Sequence, residues 1–139
     1  MTFASYARNA LLLALVPAFA FFSLAACGEK TPTLSTTYEF STATPEISMD
    51  GGAVVDVRLV HKATGKPVVD AVIFETRFDM GPDGMGGMAA PVESQGSPAP
   101  GVYRFKLAPT MDGRWALTLS AKVQGEAETV RGVVVITAR

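Results

Sequence analysis

The residues with the most distinctive chemistry are three methionines in a glycine-rich segment. Met80, Met85 and Met88 fall in the run FDMGPDGMGGMAAP, which extends from Phe78 to Pro91. A thioether is a soft ligand, and among biological metal ions it favours Cu(I). Because glycines allow tight backbone turns, the three sulfur atoms of this run could converge on one ion. The segment therefore suggests a site for a soft metal ion, with Cu(I) as its candidate occupant.

A histidine is the fourth candidate ligand. His61 is the only histidine of the chain, and it follows a segment in which Val55, Val57 and Leu59 alternate with charged residues. If that segment ends near the methionines, the imidazole would add a nitrogen ligand to the sulfur set. The alternative interpretation is a histidine at the surface end of a strand, without a ligand role.

The methionines also have an explanation that needs no metal. Methionine is a flexible apolar side chain that fills irregular gaps and makes adaptable contacts with partner proteins. Met80 continues the inward-facing alternation of Phe74 and Phe78, which predicts a position in the core. The candidate residues for contact with a partner are Met85, Met88 and Met111.

The composition excludes several other chemistries. The 12 Lys and Arg residues against 13 Asp and Glu residues leave a net charge of −1, which lacks the basic footprint of a nucleic-acid-binding protein. A single cysteine excludes a disulfide framework and a Cys-cluster zinc site. One histidine leaves little room for a catalytic triad, and no serine lies in a nucleophile motif. We therefore expect a protein that is not an enzyme and does not bind nucleic acid.

Residues 1–26 have the pattern of a secretory signal peptide. Arg8 is their only charged residue, and residues 10–16 form an apolar run that Pro17 interrupts. A basic start, a short apolar run and small residues before a cleavage site are typical of such signals. The apolar run is too short for a transmembrane helix, which needs about 20 residues.

The segment ends in Leu24–Ala25–Ala26–Cys27, which resembles the bacterial lipobox. In that motif the cysteine is lipidated and becomes the new N-terminus, so Cys27 is the predicted lipidation site. An ordinary signal peptide followed by an unrelated cysteine is the alternative. Lipidation predicts a protein anchored to a membrane of the cell envelope, facing the periplasm or the exterior. Gly28 after the cysteine favours the outer membrane where one exists.

The rest of the chain has the pattern of a polar tether and a small β-domain. Residues 27–37 are the predicted tether, and strands are predicted near residues 38–40, 55–59, 72–78, 103–107, 115–123 and 130–137. Residues 81–101 are predicted to form a long loop, and Gly132 a β-bulge. Short alternating strands with turns between them favour an immunoglobulin-like antiparallel β-sandwich of about seven strands over residues 38–139. Trp115 is its predicted central core side chain.

Four short motifs in this region resemble the YtkA-like domain, which is related to the FixH family. They are GKPV with DA at 65–71, MGGM at 85–88, GVY at 101–103 and MDGRW at 111–115. The resemblance implies a small extracytoplasmic β-sandwich, often membrane-attached, that handles copper or heavy metals beside metal-efflux adaptors or in cytochrome oxidase assembly. It also implies that Met80, Met85 and Met88 form the metal-binding segment. The segment departs from a mixed His/Met metal loop in having no histidine.

Three functions remain open at this point. The first is a metal-handling lipoprotein that holds Cu(I) at the methionine segment. The second is an interaction module that docks through residues 81–101 onto an envelope efflux or oxidase-assembly complex without metal. The third is a surface domain that binds a ligand on a concave aromatic face, and it ranks last because the aromatic residues are predicted to point inward.

Overall fold

Ten β-strands and one short 3₁₀ helix make up the described part of the chain, residues 33–50 and 52–139 of a computed structural model. The strands are β1 (Tyr38–Thr42), β2 (Glu46–Ile47), β3 (Ala53–His61), β4 (Lys66–Pro67), β5 (Ala71–Met80), β6 (Met85–Ala90), β7 (Val92–Ser94), β8 (Val102–Leu107), β9 (Gly113–Val123) and β10 (Val130–Ala138), and the 3₁₀ helix is Gly81–Asp83. The predicted signal peptide and the predicted lipidation site Cys27 lie outside the described residues. Among those residues, no helix is long and apolar enough to span a membrane.

The strands form two sheets that enclose one core. The first sheet has the order β1-β3-β8-β7, with β4 paired to the end of β3, and the second has the order β2-β10-β9-β5-β6. In immunoglobulin lettering the first order corresponds to A-B-E-D, and β10-β9-β5-β6 of the second corresponds to G-F-C-C′. The predicted fold class is therefore confirmed. The strand count is higher than predicted because it includes three strands of two or three residues, and the pair β2–β10 is parallel.

The core follows the predicted alternation of apolar residues. Val55, Val57 and Leu59 of β3 face the other sheet with no exposed surface, and so does Trp115 of β9. The indole of Trp115 stacks on the ring of Phe78, with centroids 4.8 Å apart and an interplanar angle of 24°. Trp115 is thus the large central side chain of the core, as predicted.

The predicted loop over residues 81–101 is wrong for much of its length. The 3₁₀ helix, β6 and β7 lie within it, β6 pairing with β5 and β7 pairing with β8. The sequence MGGMAA of β6 has low β-propensity and no alternation, so the sequence carries little sign of a strand. Strand β6 forms because it pairs with β5 at the edge of the second sheet, and not because its residues favour a strand.

The predicted inward position of Phe74 is also wrong. The ladder between β5 and β9 shifts register between Ile73 and Glu75, which leaves Phe74 as an extra residue. An extra residue in one strand changes the face to which the preceding residues point. Ile73 therefore packs against the core, whereas the Phe74 side chain is 55% exposed.

Gly132 is not a bulge. It pairs regularly with Leu119 of β9, within an unbroken ladder. A Cβ atom on this residue would lie 2.1 Å from Cδ2 of Phe40, which belongs to β1 of the opposite sheet. Glycine is needed here for the close approach of an aromatic ring.

Candidate functional site: the methionine end of the sandwich

The methionine segment forms a hairpin at one end of the second sheet. Strand β5 ends at Met80, the 3₁₀ helix turns the chain, and Gly84 takes a left-handed φ of 76° while its N–H donates to the carbonyl of Gly81 at 2.9 Å. Strand β6 then begins at Met85, which pairs with Met80 across the ladder. Residues paired in this way have Cβ atoms about 4.5–5.5 Å apart. We call this end of the molecule, with the start of β9 at Gly113, the methionine end.

The three methionines differ sharply in exposure. Met80 is 1% exposed and belongs to the core, whereas Met85 and Met88 are 41% and 42% exposed. The terminal Cε of Met80 lies against the backbone of β9, since a Cβ on Gly113 would be 2.6 Å from it. Met88 falls in the part of β6 where the register to β5 shifts. The accessible sulfur atoms of the hairpin are therefore those of Met85 and Met88, with Met80 behind them.

Two further methionines pack near this end. Met111 precedes β9 and is partly buried against the core, and its carbonyl oxygen accepts a hydrogen bond from the Trp115 indole at 3.1 Å. Met49 follows β2, whose Ile47 pairs with Ala138, and Ala138 also pairs with Gly113. Met49 therefore lies at the same end of the sheet as the hairpin, with β10 and β9 between β2 and β5.

An ion pair between Asp83 and Arg114 fastens the 3₁₀ helix to β9. The carboxylate of Asp83 accepts hydrogen bonds from the backbone N–H of Arg114 at 2.7 Å and from its Nε at 2.8 Å. The guanidinium also donates to the carbonyl of Pro82 at 2.9 Å. The backbone hydrogen bond, and after it the guanidinium, holds the pKa of Asp83 below its ordinary value. We call this pair the turn clamp.

A second pair, between Arg77 and Asp79, fastens β5 to the glycines of β6. The guanidinium of Arg77 contacts the carboxylate of Asp79 through Nε and donates to the carbonyl of Gly86 through Nη2 at 2.7 Å. The other carboxylate oxygen of Asp79 accepts from the N–H of Gly81 at 2.8 Å. We call this pair the strand clamp. Sequence reasoning missed both clamps, and the turn signature Pro82-Asp83-Gly84 was the available signal for the first of them.

His61 lies at the opposite end of the sandwich. Strand β9 runs from Gly113 to Val123, and Val123 lines the same shallow pocket as His61. At about 3.4 Å per residue the strand spans about 35 Å. The imidazole packs edge-on against Tyr38, with ring centroids 5.2 Å apart, and its Nδ1 is 3.4 Å from Oγ1 of Thr64. The structure does not bring His61 to the methionines.

Oxygen, nitrogen and thiolate ligands give no alternative metal centre in the described ranges. Over residues 33–50 and 52–139, no group of three or more His, Cys, Asp or Glu side chains is placed to hold a metal ion. The candidate site there is the thioether group of the hairpin.

Comparison with known proteins identifies the family. A family model described as YtkA-like matches residues 33–120, which is more than half of the chain. The chain belongs to the YtkA-like family. The match runs from the residues before β1 to most of β9, so it includes the whole methionine hairpin. The resemblance to the YtkA-like domain is confirmed.

The chain was also compared with solved structures and with curated proteins. The ZirS C-terminal domain is a similar solved structure, with 14% sequence identity and a TM-score of 0.45 over 100% of this chain and 94% of that chain. No curated protein matches the chain.

Proposed function

We propose that this YtkA-like protein is an extracytoplasmic lipoprotein that binds Cu(I) at its methionine end and passes it to or from a partner in the cell envelope. The observation that carries the proposal is the exposure of Met85 and Met88 beside the buried Met80 in one hairpin. Exposed thioethers add little to a core, and three soft donors in one hairpin suit a soft cation.

The exposed pair is the proposed entry point for the ion. Met85 and Met88 are open to solvent, so an ion can reach their sulfur atoms without a change in the fold. Met80 is the neighbour of Met85 in the ladder and supplies the third sulfur. The ion would exchange with a partner that carries soft ligands of its own, such as a component of an efflux or oxidase-assembly complex.

The point at which the chain enters the sandwich leaves this site accessible. Ser35 N–H donates to the carbonyl of Arg131 at 2.8 Å, and Tyr38 pairs with His61. The chain therefore enters the sandwich at the end opposite the methionines. The entering chain therefore does not cover the methionine end, which stays open to other envelope proteins.

A competitive Cu(I) titration tests the proposal. Full-length protein in detergent would be titrated under reducing conditions against a chromogenic Cu(I) chelator, together with the Met80/Met85/Met88→Leu triple variant and the Met85/Met88→Leu double variant. We expect stoichiometric binding that both variants lose. Met49→Leu is the matched control, since it removes a thioether outside the hairpin. Binding that survives in the triple variant would refute the assignment.

A second candidate function is an interaction module without metal. It is favoured by the exposed apolar residues of the second sheet, where Val72 and Phe74 add to Met85 and Met88. Crosslinking from position 88 in cells, followed by purification with and without a Cu(I) chelator, separates the two functions. A partner recovered equally well in both conditions would favour the interaction module.

A further inference from the structure

We infer that Arg77 is a positioning residue for the thioether pair. It holds the β6 backbone between Met85 and Met88 against β5, so that both sulfur atoms have a defined geometry before any ion arrives. This inference rests on the proposed function, since the geometry matters to the ion that the pair would bind. Arg77 itself contacts no sulfur atom in this assignment and acts only through the backbone.

The need for such a residue follows from the local sequence of β6. Met85 and Met88 are separated by Gly86 and Gly87, which have no side chains to restrict the backbone. The ladder to β5 pairs Met80 with Met85 and Asp79 with Ala89, so it skips the residues between them. The regular pairing of the sheet therefore does not fix the distance between the two exposed methionines.

Arg77 supplies a link at the skipped position. Its Nη2 donates to the carbonyl of Gly86 at 2.7 Å, which is within the range of a charge-assisted hydrogen bond. Gly86 lies directly after Met85, so the bond fixes the backbone between the two thioethers. A guanidinium donates in two directions from one rigid plane, which a lysine ammonium does not.

Asp79 holds the guanidinium in place. One of its oxygens contacts Nε of Arg77, and the other accepts from the N–H of Gly81 at 2.8 Å. Asp79 is largely buried, so its carboxylate is a fixed point, and it ties the clamp to the start of the 3₁₀ helix. The strand clamp thus connects the segments on both sides of Met80 and Met85.

A simple surface ion pair would have a different signature. Such pairs change the stability of a protein by about 0–1 kcal/mol and affect little else. A residue that orients ligands from outside the coordination sphere typically changes metal affinity by about tenfold to a hundredfold. A surface ion pair should therefore change mainly the free energy of unfolding. A positioning residue should change mainly the affinity for Cu(I).

The test compares two arginines in full-length protein. Arg77→Leu and Arg77→Lys remove or impair the strand clamp. Arg104→Leu is the matched control, because Arg104 forms a cross-strand pair with Asp56 on the first sheet, with Nε 2.7 Å from Oδ1. Cu(I) affinity is measured by chelator competition, and the order parameters of the methionine methyl groups are measured by NMR in the metal-free protein. Unfolding by urea reports the stability of each variant.

We expect Arg77→Leu to weaken Cu(I) binding about tenfold or more and to lower the methyl order parameters of Met85 and Met88. Arg77→Lys would fall in between, and Arg104→Leu would leave both readouts unchanged. The inference is overturned if Arg77→Leu changes neither readout, or if Arg104→Leu changes them equally. Absence of Cu(I) binding in the unaltered protein would refute the proposed function instead, and the methyl order parameters would still decide whether Arg77 positions the pair.

Discussion

The two ends of the sandwich are held together by different means. At the end that carries Tyr38 and His61, which we call the tyrosine end, the chain crosses from β4 of the first sheet to β5 of the second. The hydroxyl of Tyr103 donates to the carbonyl of Val68 at 2.9 Å and accepts from the N–H of Ala71 at 3.2 Å. Burial raises the pKa of this hydroxyl above its ordinary value. Both hydrogen bonds of this hydroxyl satisfy backbone groups at the crossing.

At the methionine end the polar groups are held by the turn clamp and the strand clamp. These clamps fix a hairpin on which Met85 and Met88 are exposed. The fold explains the contacts of Tyr103 at the tyrosine end, whereas it does not account for two exposed soft donors on a fastened edge strand. This contrast supports the proposed metal site at the methionine end.

The largest expected effect comes from glycines at the two ends. A Cβ on Gly101, at the tyrosine end, would lie 2.4 Å from Cβ and 3.1 Å from Cα of Pro67, and the φ of Gly101 is +72°. Gly101→Ala should cost about 1–3 kcal/mol of backbone strain and about 1–3 kcal/mol more from overpacking against a ring that cannot move. Urea unfolding measures the sum.

Gly113→Ala at the methionine end is the partner of that experiment. Its Cβ would meet the ends of two side chains, Cε of Met80 at 2.6 Å and Oδ2 of Asp83 at 2.9 Å, and not a ring or the backbone. A shift of Asp83 would weaken its hydrogen bond to the N–H of Arg114. We expect mainly the backbone strain, about 1–3 kcal/mol, and a smaller loss of stability than for Gly101→Ala. An equal or larger loss would mean that the methionine end is packed as rigidly as the tyrosine end.

The next effect separates the methionines by their burial. Met80→Ala should lower the free energy of unfolding by about 2–5 kcal/mol, because it empties a position in the core. Met85→Ala and Met88→Ala should change it by less than about 1 kcal/mol, as for other exposed side chains. Urea unfolding of the three single variants tests this order. If Met85→Ala or Met88→Ala lowers the free energy of unfolding as much as Met80→Ala does, packing would explain the exposed pair without a metal.

Much of the fold was predictable because long strands with strict alternation face one core. The alternation at Val55 to Leu59 and around Trp115 predicted the positions of β3 and β9 and the centre of the core. The prediction that Phe74 points inward was wrong for a physical reason. A one-residue register shift in β5 reverses the face to which the residues before it point, and it leaves no mark in the composition of the strand. Such a shift is set by the neighbouring strands.

The candidate site was predictable in its ligand types and not in its geometry. The soft chemistry of Met80, Met85 and Met88 is a property of the residues, and so it was visible in the sequence. The separation of His61 from them depends on strand order, which local patterns do not contain. The link from Arg77 to Gly86 joins a side chain to a backbone carbonyl nine positions away, and a carbonyl has no sequence signature.

Tyr103→Phe removes the hydroxyl at the tyrosine end alone. Val68 and Ala71 would each lose a hydrogen-bond partner, and leaving such groups unsatisfied costs about 1–3 kcal/mol. Cu(I) affinity should not change, since the methionine end keeps all its contacts. Urea unfolding and chelator competition on the same preparation check both halves. A loss of affinity together with stability would show that the two ends are coupled through the sandwich.

The smallest effect is a pH dependence at the methionine end. The pKa of Asp83 is lowered in the folded protein by the backbone N–H and the guanidinium of Arg114. A lowered pKa stabilises the fold at pH values above that of a free carboxyl, about 3.9, and this stabilisation is lost as the pH falls through the lower folded value. Near neutral pH the protein should therefore be more stable than Asp83→Asn, and the difference should shrink below about pH 4. Urea unfolding over a pH series measures that difference, and Asp112→Asn, directly before β9, is the control that leaves the turn clamp in place. If the difference in the free energy of unfolding does not change with pH, the charge of Asp83 does not stabilise the turn clamp. The clamp would then depend on its hydrogen-bond geometry alone.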